Sequence, residues 1–490
     1  MMLARSRSTR HLLRTTRNSD TVYASLNFNC LAIAQSSGRR PITTGAATMA
    51  TPYHIHVKPS ETGLLHLDRD EQTATKVSEL LQDDLEKHHV FFNASGYHDH
   101  ITHHLLTLYG TGASASDLQN AYRQDASYQL RAQKPRPKVL DALRNDWNAN
   151  ARDYLGKGKH YAEFLQFFQE KIEANGWQAT VQEHLFSDNP VSKDVFARLF
   201  AGLYHPMIQL MYGLEWQQPA IIAQGLAQAS VHLDRLTSFF TKAEQMSQAS
   251  PSASSTFSLP ELLERARTSG KLSRSAKWND DKPLNGVLAR AEEEALDLVS
   301  QVKINPGDLE EKTVEMMHTA AYVAAAAAFH EPYIPRMDFF LIHTLTSSPF
   351  FLTINKLGWV PNAQKVRLLE WKMRLDIVEY IAQGCPPLDT ASLRRYTPRD
   401  PTQVHSPWSL LPKFHSQPDD GHTIKVIRSL ILAEQESKKY EDKKWIRIKD
   451  AKSWLNAHHV MLDSMNTEAD TGRWVRGAGF SEAWEGKPKV

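Results

Sequence analysis

Two cysteines, Cys30 and Cys385, are all that the 490 residues contain. That scarcity excludes a disulfide-framed secreted scaffold and fits a reducing compartment. The sequon at Asn93, Ala94 and Ser95 is accordingly read as an accident, since nothing resembles a secretory signal. Long apolar runs are missing as well. The nearest, Ala324 to Ala328, falls far short of the ~20 residues that span a bilayer. Walker loops, HExxH, CxxC and GxSxG are absent. Gly110, Gly112 and Ala115 spell GxGxxA, but a helical pattern precedes them where a dinucleotide fold needs a strand. No two-residue alternation is sustained, so no sheet is expected.

Charge of one sign is also lacking, except at the start. Residues 1–49 hold Arg5, Arg7, Arg10, Arg14, Arg17, Arg39 and Arg40, no lysine and one acid, Asp20. The remainder carries 50 basic against 54 acidic residues, so a polyphosphate-binding surface and a nucleic-acid partner are not implied. The Arg- and Ser-rich opening reads either as a mitochondrial transit peptide or as a spurious extension before a true start at Met49. The compartment is then mitochondrial or cytoplasmic. With 41% hydrophobic and 23% charged residues, a mainly disordered chain is excluded.

Helical periodicity fills the rest of the chain. Asp70 caps a helix whose stripe is Val77, Leu80, Leu81 and Leu85. Further helical patterns cover about 97–109, 138–147, 159–175, 192–217, 219–246, 284–302, 308–329, 335–346, 361–383 and 422–440. Residues 247–258 form a small, polar linker, and 384–421, punctuated by prolines from Pro386 to Pro418, read as a long irregular excursion. The expectation is a leader at 1–49 and one all-α domain at 50–490, of about fifteen helices with long irregular loops.

Histidine is abundant, with 22 in the chain, several inside apolar segments. His98, His100, His103 and His104 lie within seven residues, and His100 with His104 share a helical face at i, i+4. Two imidazoles so placed hold one metal, or else serve the core as hydrogen-bonded polar groups. His205 precedes Pro206, and the proline frees the carbonyl of Gly202, so the helix is expected to kink or break there. His343 sits in an apolar run, where a neutral, ligated imidazole is tolerated and a charged one is costly. His422 opens a helix after the proline-rich stretch. Lys372 shares a face with Leu368, Leu369 and Leu375. It either pairs with Asp376 at i+4 or stays a neutral amine that captures CO2 as a carbamate, an oxygen ligand for a metal. His232 and Asp234 read as HxD, but i and i+2 on a helix point apart and do not share an ion.

The runs YHDHITHHLLTLYGTGAS, GLYHPMIQLMYGLEW, MDFFLIHTLTSSPFF, LLEWKMRLD, HTIKVIRSL and RWVRGAGFSEAW, in this order over roughly 60–485, resemble the questin oxidase-like family of fungal proteins. The resemblance implies oxygenase chemistry on aromatic polyketides, with oxidative scission of an anthraquinone ring of Baeyer-Villiger or dioxygenase type. Some members of the family look like non-haem iron enzymes with a carbamylated lysine. On this chain that pattern falls on His100, His205, His343, His422 and Lys372, with His104 as an alternate. Fe(II) is then the expected metal and NADPH a possible reductant. The partners are O2 and a small aromatic polyketide, with no membrane span. Tyr204 and Tyr212 are the expected catalytic hydrogen-bonding groups, with Arg336 and Arg374 behind them. Trp216, Phe339, Phe340 and Trp371 are candidates to stack on a flat substrate. The chain departs from the family in having Asp99 where asparagine is typical. Two other classes stay open on the residues alone: a zinc metallohydrolase using the same ligands, and a non-catalytic helical protein with structural histidines.

Overall fold

The computed structural model describes residues 49–250, 254–280, 283–400, 406–465 and 472–490. The expected leader, apart from Met49, lies outside them. Every regular element among the described residues is helical; extended chain meets only at isolated bridges, such as Phe91 with His98 and Asp338 with Val475. No helix among them is long and apolar enough to cross a membrane. The helices outnumber the fifteen expected because several patterns are interrupted.

Seven helices position the site and are numbered in chain order. The first, α1 (Glu71–Lys87), starts where Asp70 accepts the amide of Thr73 at 2.7 Å, and it buries Val77, Leu80, Leu81 and Leu85 as its stripe requires. A tight turn follows, in which Phe92 N–H donates to the carbonyl of Tyr97. It leads into α2 (Ile101–Gly110), every residue of which is buried. The helix begins later than the periodicity predicts because the Asp99 carboxylate accepts the Ile101 amide, leaving His98 and His100 before the first turn.

The pattern expected over 192–217 is broken, as Pro206 requires. One helix ends at Arg198, Gly202, Leu203 and Tyr204 follow with φ of 54°, 55° and 65°, and α3 (His205–Glu215) restarts with proline in its first turn. There the missing N–H has no partner to lose. The pattern over 219–246 also divides. The helix α4 (Pro219–Val231) stops at His232, so His232 and Asp234 lie in a loop and not on the helix expected for them. The two helices α3 and α4 pack nearly backbone to backbone. A Cβ at Gly213 would stand 2.7 Å from the amide nitrogen of Ile222, and one at Gly225 2.7 Å from the Cα of Leu210.

The remaining three are α5 (Leu341–Thr346), α6 (Asn362–Ala382) and α7 (His422–Ser437). The stretch expected to be irregular, 384–421, contains helices at Thr390–Arg395 and Pro407–His415; a proline in the first turn is compatible with the second, and the periodicity of both is too short to show. Gly421, at φ 87°, turns the chain into α7. A Cβ there would sit 2.7 Å from that of His104, so the turn needs both the left-handed conformation and the missing side chain. One hydrophobic core runs through these elements from Ile55 to Trp474.

Candidate metal centre

His100 precedes α2, His205 and His422 are the first residues of α3 and α7, and His343 lies in α5. Four distant parts of the chain thus bring buried imidazoles together. Nε2 of His100 stands 3.0 Å from Nε2 of His205, and Nε2 of His343 3.2 Å from that of His422. The His205 and His343 rings are 5.1 Å apart, and those of His100 and His422 4.6 Å. Donor atoms of His100, His205 and His422 all lie within 4.8 Å of one another.

The opposite edge of each ring is pinned. His205 Nδ1 donates to the Gly202 carbonyl at 2.6 Å, the carbonyl that the proline frees. His343 Nδ1 donates to the Phe339 carbonyl at 2.7 Å. Asp420 serves the other two, at 2.6 Å from His422 Nδ1 and 3.5 Å from His100 Nδ1. A carbonyl or carboxylate only accepts, so the proton of each neutral ring is drawn to Nδ1 and the Nε2 lone pair turns inward. Burial, followed by the mutual repulsion of neighbouring imidazoles, holds His205 and His343 well below the usual histidine range; burial and then Lys425 bring His100 to about 4. Burial lowers His422 despite Asp420. Neutral imidazoles with converging lone pairs at contact distance are a donor set suited to iron, zinc or copper. The residues fit a metal.

Behind them stands a second layer. The His98 ring stacks on His205 at 3.8 Å and 8°, and its Nε2 lies 2.9 Å from that of His232. His103 Nε2 contacts Gln209 Oε1 at 2.7 Å. Periodicity places His232 in a helix interior, and nothing local in the sequence points it toward His98. His104 turns away to Asp125, 2.8 Å from its Nδ1; burial lowers its basicity, but Asp125 overcomes this and raises it. Asp99 lies against Asp84, with His88 Nδ1 2.9 Å from the latter. Burial raises Asp84 to about 7 and Asp99 well above the carboxylate range, so the pair retains a proton.

Lys372 is fully buried, and its Nζ is held by both oxygens of Asp376 at 2.5 Å and by the Thr344 carbonyl at 3.0 Å. Tyr204 completes that group, donating to Asp376 at 2.7 Å. Tyr212 is spent on Thr107 at 2.5 Å and Arg428 at 3.4 Å. A different lysine accompanies the histidines. Lys425, one turn after His422 on α7, is buried, its Nζ has no hydrogen-bond partner among the described residues, and its charge acts on His100, His103, His205, His343 and His422. Burial brings it down to about 8, against the pull of Asp420, Asp419 and Asp125. The signal for it was the i, i+3 spacing from His422 within HTIK.

Of the expected stacking residues, Phe339 meets the site, at 5.1 Å from His343 and 4.9 Å from His422, and Phe340 packs on Phe339. Trp216 packs on Tyr109, and Trp371 lies among Phe196, Phe200 and Phe240, both within the core. Arg374 binds Glu370 and the Val302 carbonyl, and Arg336 the Ser464 carbonyl. Solvent comes near the centre at Asp420, whose side chain is 41% exposed while it contacts His422, and Phe339 beside it is half-buried.

The sequence profile of the questin oxidase-like family matches residues 97–430. A Baeyer-Villiger oxidase, ptaJ, of Pestalotiopsis fici is 33% identical over 419 residues, which span 84% of this chain and 93% of that protein. The oxidoreductase AflY of Aspergillus parasiticus is 32% identical over 435 residues, 87% of this chain and 86% of its own. A questin oxidase of Aspergillus terreus is 31% identical over 444 residues, 89% and 98% respectively.

Proposed function

Because the chain belongs to the questin oxidase-like family, we propose that it is an O2-dependent oxidoreductase that opens a ring of an anthraquinone-type polyketide, with non-haem iron at His100, His205, His343 and His422. The relatives' names, questin oxidase and Baeyer-Villiger oxidase, support the reaction class. The observation that carries the metal is that donor atoms of buried His100, His205 and His422 lie within 4.8 Å of one another, with His343 Nε2 3.2 Å from that of His422, while Gly202, Phe339 and Asp420 hold the Nδ1 edges. Iron bound there supplies the means to engage O2, whose direct reaction with a closed-shell phenol is slow.

The chain's own residues set the conditions for that chemistry. Asp420 orients two imidazoles at once and counters the positive charge of the centre. Phe339 covers the His343 and His422 rings and offers an aromatic face to a flat ring. The anionic oxygen ligand implied by the family resemblance is better served by Lys425 than by Lys372. The Lys372 amine is saturated by Asp376 and Thr344, whereas that of Lys425 has no hydrogen-bond partner among the described residues and its charge acts on the histidines.

Elemental analysis of the purified protein, joined to O2-uptake measurements with a panel of anthraquinones, tests this reading. Stoichiometric iron and O2 consumption coupled to ring opening are expected. Zinc with activity in the absence of O2 would replace it with the metallohydrolase reading, to which the same four imidazoles are suited. The assay also separates the two oxygenase outcomes. Insertion of one oxygen atom with reduction of the other to water consumes two electrons, so NADPH oxidation matches O2 uptake, while incorporation of both atoms consumes none.

A further inference from the structure

Between α1 and α2 the chain doubles back on itself. Phe92 N–H donates to the Tyr97 carbonyl and Asp99 N–H to that of Val90, both at 2.8 Å, and Asn93 Oδ1 accepts the amides of Ser95 at 3.0 Å and Tyr97 at 3.2 Å. Neighbouring side chains of this extended turn face opposite ways. His98 points inward and stacks on His205, whereas Tyr97 points out and is 60% exposed. The half-buried Phe92 ring lies 5.8 Å from that of Tyr97, at 16°, and meets Tyr128 edge-on at 5.2 Å. Tyr128 is itself 39% exposed. Three rings thus form one aromatic patch that reaches solvent, the kind of surface that marks an interaction site.

Tyr128 belongs to the surroundings of the histidine centre. It follows the helix Ala115–Ala126, whose Gln124 side chain donates to the Asp419 carbonyl at 3.4 Å and whose Asp125 holds His104 Nδ1 at 2.8 Å. The Tyr128 hydroxyl donates to the other Asp125 oxygen at 3.3 Å, so its lone pairs remain able to accept. Asp420, next in the chain to Asp419, acts on this phenol as well. Desolvation, followed by Asp125 and Asp420, raises it above the usual tyrosine range and keeps it a neutral hydroxyl. The patch therefore borders the exposed Asp420 carboxylate, where solvent comes near His422 and His100. On its other flank Tyr97 is three residues ahead of His100.

We propose that Phe92, Tyr97 and Tyr128 form the aromatic entrance of the histidine centre, which stacks a planar polycyclic ring and accepts a hydrogen bond from a hydroxyl on it. The inference rests on the oxygenase reading and adds where the substrate is first held and which of its groups is read. Tyrosine and phenylalanine rings have few torsions to lose, so they offer contact area at little entropic cost. The polar atoms at the entrance are the Tyr128 oxygen and the Asp420 carboxylate, and both accept. A ring bearing a hydroxyl is thus favoured over the same ring with that oxygen methylated, which sets an acceptor against acceptors.

Binding and turnover test it separately. The protein as isolated is titrated with 2-hydroxyanthraquinone, at a pH where the phenol keeps its proton, and with 2-methoxyanthraquinone, following the absorption of the probe. Wild type should bind the hydroxyl compound about fivefold more tightly than the ether. Tyr97→Ala should weaken both about tenfold, with metal content and melting temperature unchanged because the side chain is exposed, and Tyr97→Phe should restore them. Tyr128→Phe should abolish the preference for the hydroxyl and leave ether binding as it is. Unchanged Kd values for both probes in Tyr97→Ala overturn the stacking role, and a preference retained in Tyr128→Phe overturns the hydrogen-bonding role. In the O2-uptake assay Tyr97→Ala should raise KM about tenfold at constant kcat. If both probes bind as expected but wild type consumes no O2 with any anthraquinone, the oxygenase reading fails and the entrance stands as an aromatic site. If wild type opens the ring and Tyr97→Ala does so with an unaltered KM, the entrance fails and the oxygenase reading stands.

Discussion

Among the described residues two lysines are buried almost completely, and their surroundings differ in kind. Lys372, on α6, has a carboxylate one turn away that takes its amine with both oxygens, and Tyr204 and the Thr344 carbonyl close the group. Lys425, on α7, has no hydrogen-bond partner among the described residues and sits among imidazoles that its charge makes less basic. A buried ammonium is costly in both places. On α6 that cost is offset locally. On α7 it is left for chemistry to answer, by loss of a proton, by carbamylation, or through the anionic groups around Asp420. Burial alone therefore does not single out a candidate ligand, whereas burial without a hydrogen-bond partner among the described residues sets Lys425 apart from Lys372.

The largest effect should come from removing the unpartnered amine. Lys425→Met is expected to lose bound iron and at least a hundredfold in turnover with little change in melting temperature, read by elemental analysis beside O2 uptake; full iron and activity in that variant would erase the contrast between the two lysines. At the other lysine the effect should be on stability. Lys372→Met leaves the Asp376 carboxylate buried and unpaired, at a cost of about 3–5 kcal/mol, while the double replacement Lys372→Met with Asp376→Leu should recover most of it. Iron content should stay constant in both, and iron lost from a folded Lys372→Met protein would move the ligand assignment to α6.

The α6 neighbourhood also predicts a pH dependence. Burial, followed by Asp376 and Asp338, raises Glu379 from its usual 4.5 to about 8. The folded protein then holds a proton that the unfolded chain has released. Stability is full below about 4.5 and falls as pH rises toward about 8, by at most roughly 1.4 kcal/mol per pH unit. Glu379→Gln should flatten that fall in denaturation curves taken at several pH values, and an unaltered slope would assign it elsewhere. The smallest effect is expected at Tyr204→Phe, which removes one hydrogen bond to Asp376 and should lower stability by about 1 kcal/mol without altering iron content.

The same contrast shows which parts of the molecule local sequence could reveal. The all-α architecture was legible because apolar stripes recur at helical spacing, as in Val77, Leu80, Leu81 and Leu85. The break before His205 was legible because Pro206 acts on its own neighbours, and the freed Gly202 carbonyl is the group that receives His205 Nδ1. The Lys372–Asp376 pair is an i, i+4 contact and could be foreseen as one of two alternatives. Three features were out of reach for a common reason. His104 goes to Asp125, His98 to His232, and Trp474 to His422, contacts separated by many residues and fixed by how helices pack. The start of α2 differs from the periodic pattern because one side chain, Asp99, intercepts the Ile101 amide, an effect that periodicity does not register.

The imidazoles that meet at the centre are far apart along the chain, 105 residues between His100 and His205 and 79 between His343 and His422. Any ion gripped by all of them is a cross-link that closes loops of that length. It restricts the unfolded ensemble as a disulfide would, for as long as the ion stays bound. Cys385, the cysteine among the described residues, is unpaired and offers no such tie. With such an ion bound, the histidines would occupy the position that cystine holds in other proteins: the point at which distant stretches of the polypeptide are stitched together, so that loading the ion and resisting unraveling would become a single property.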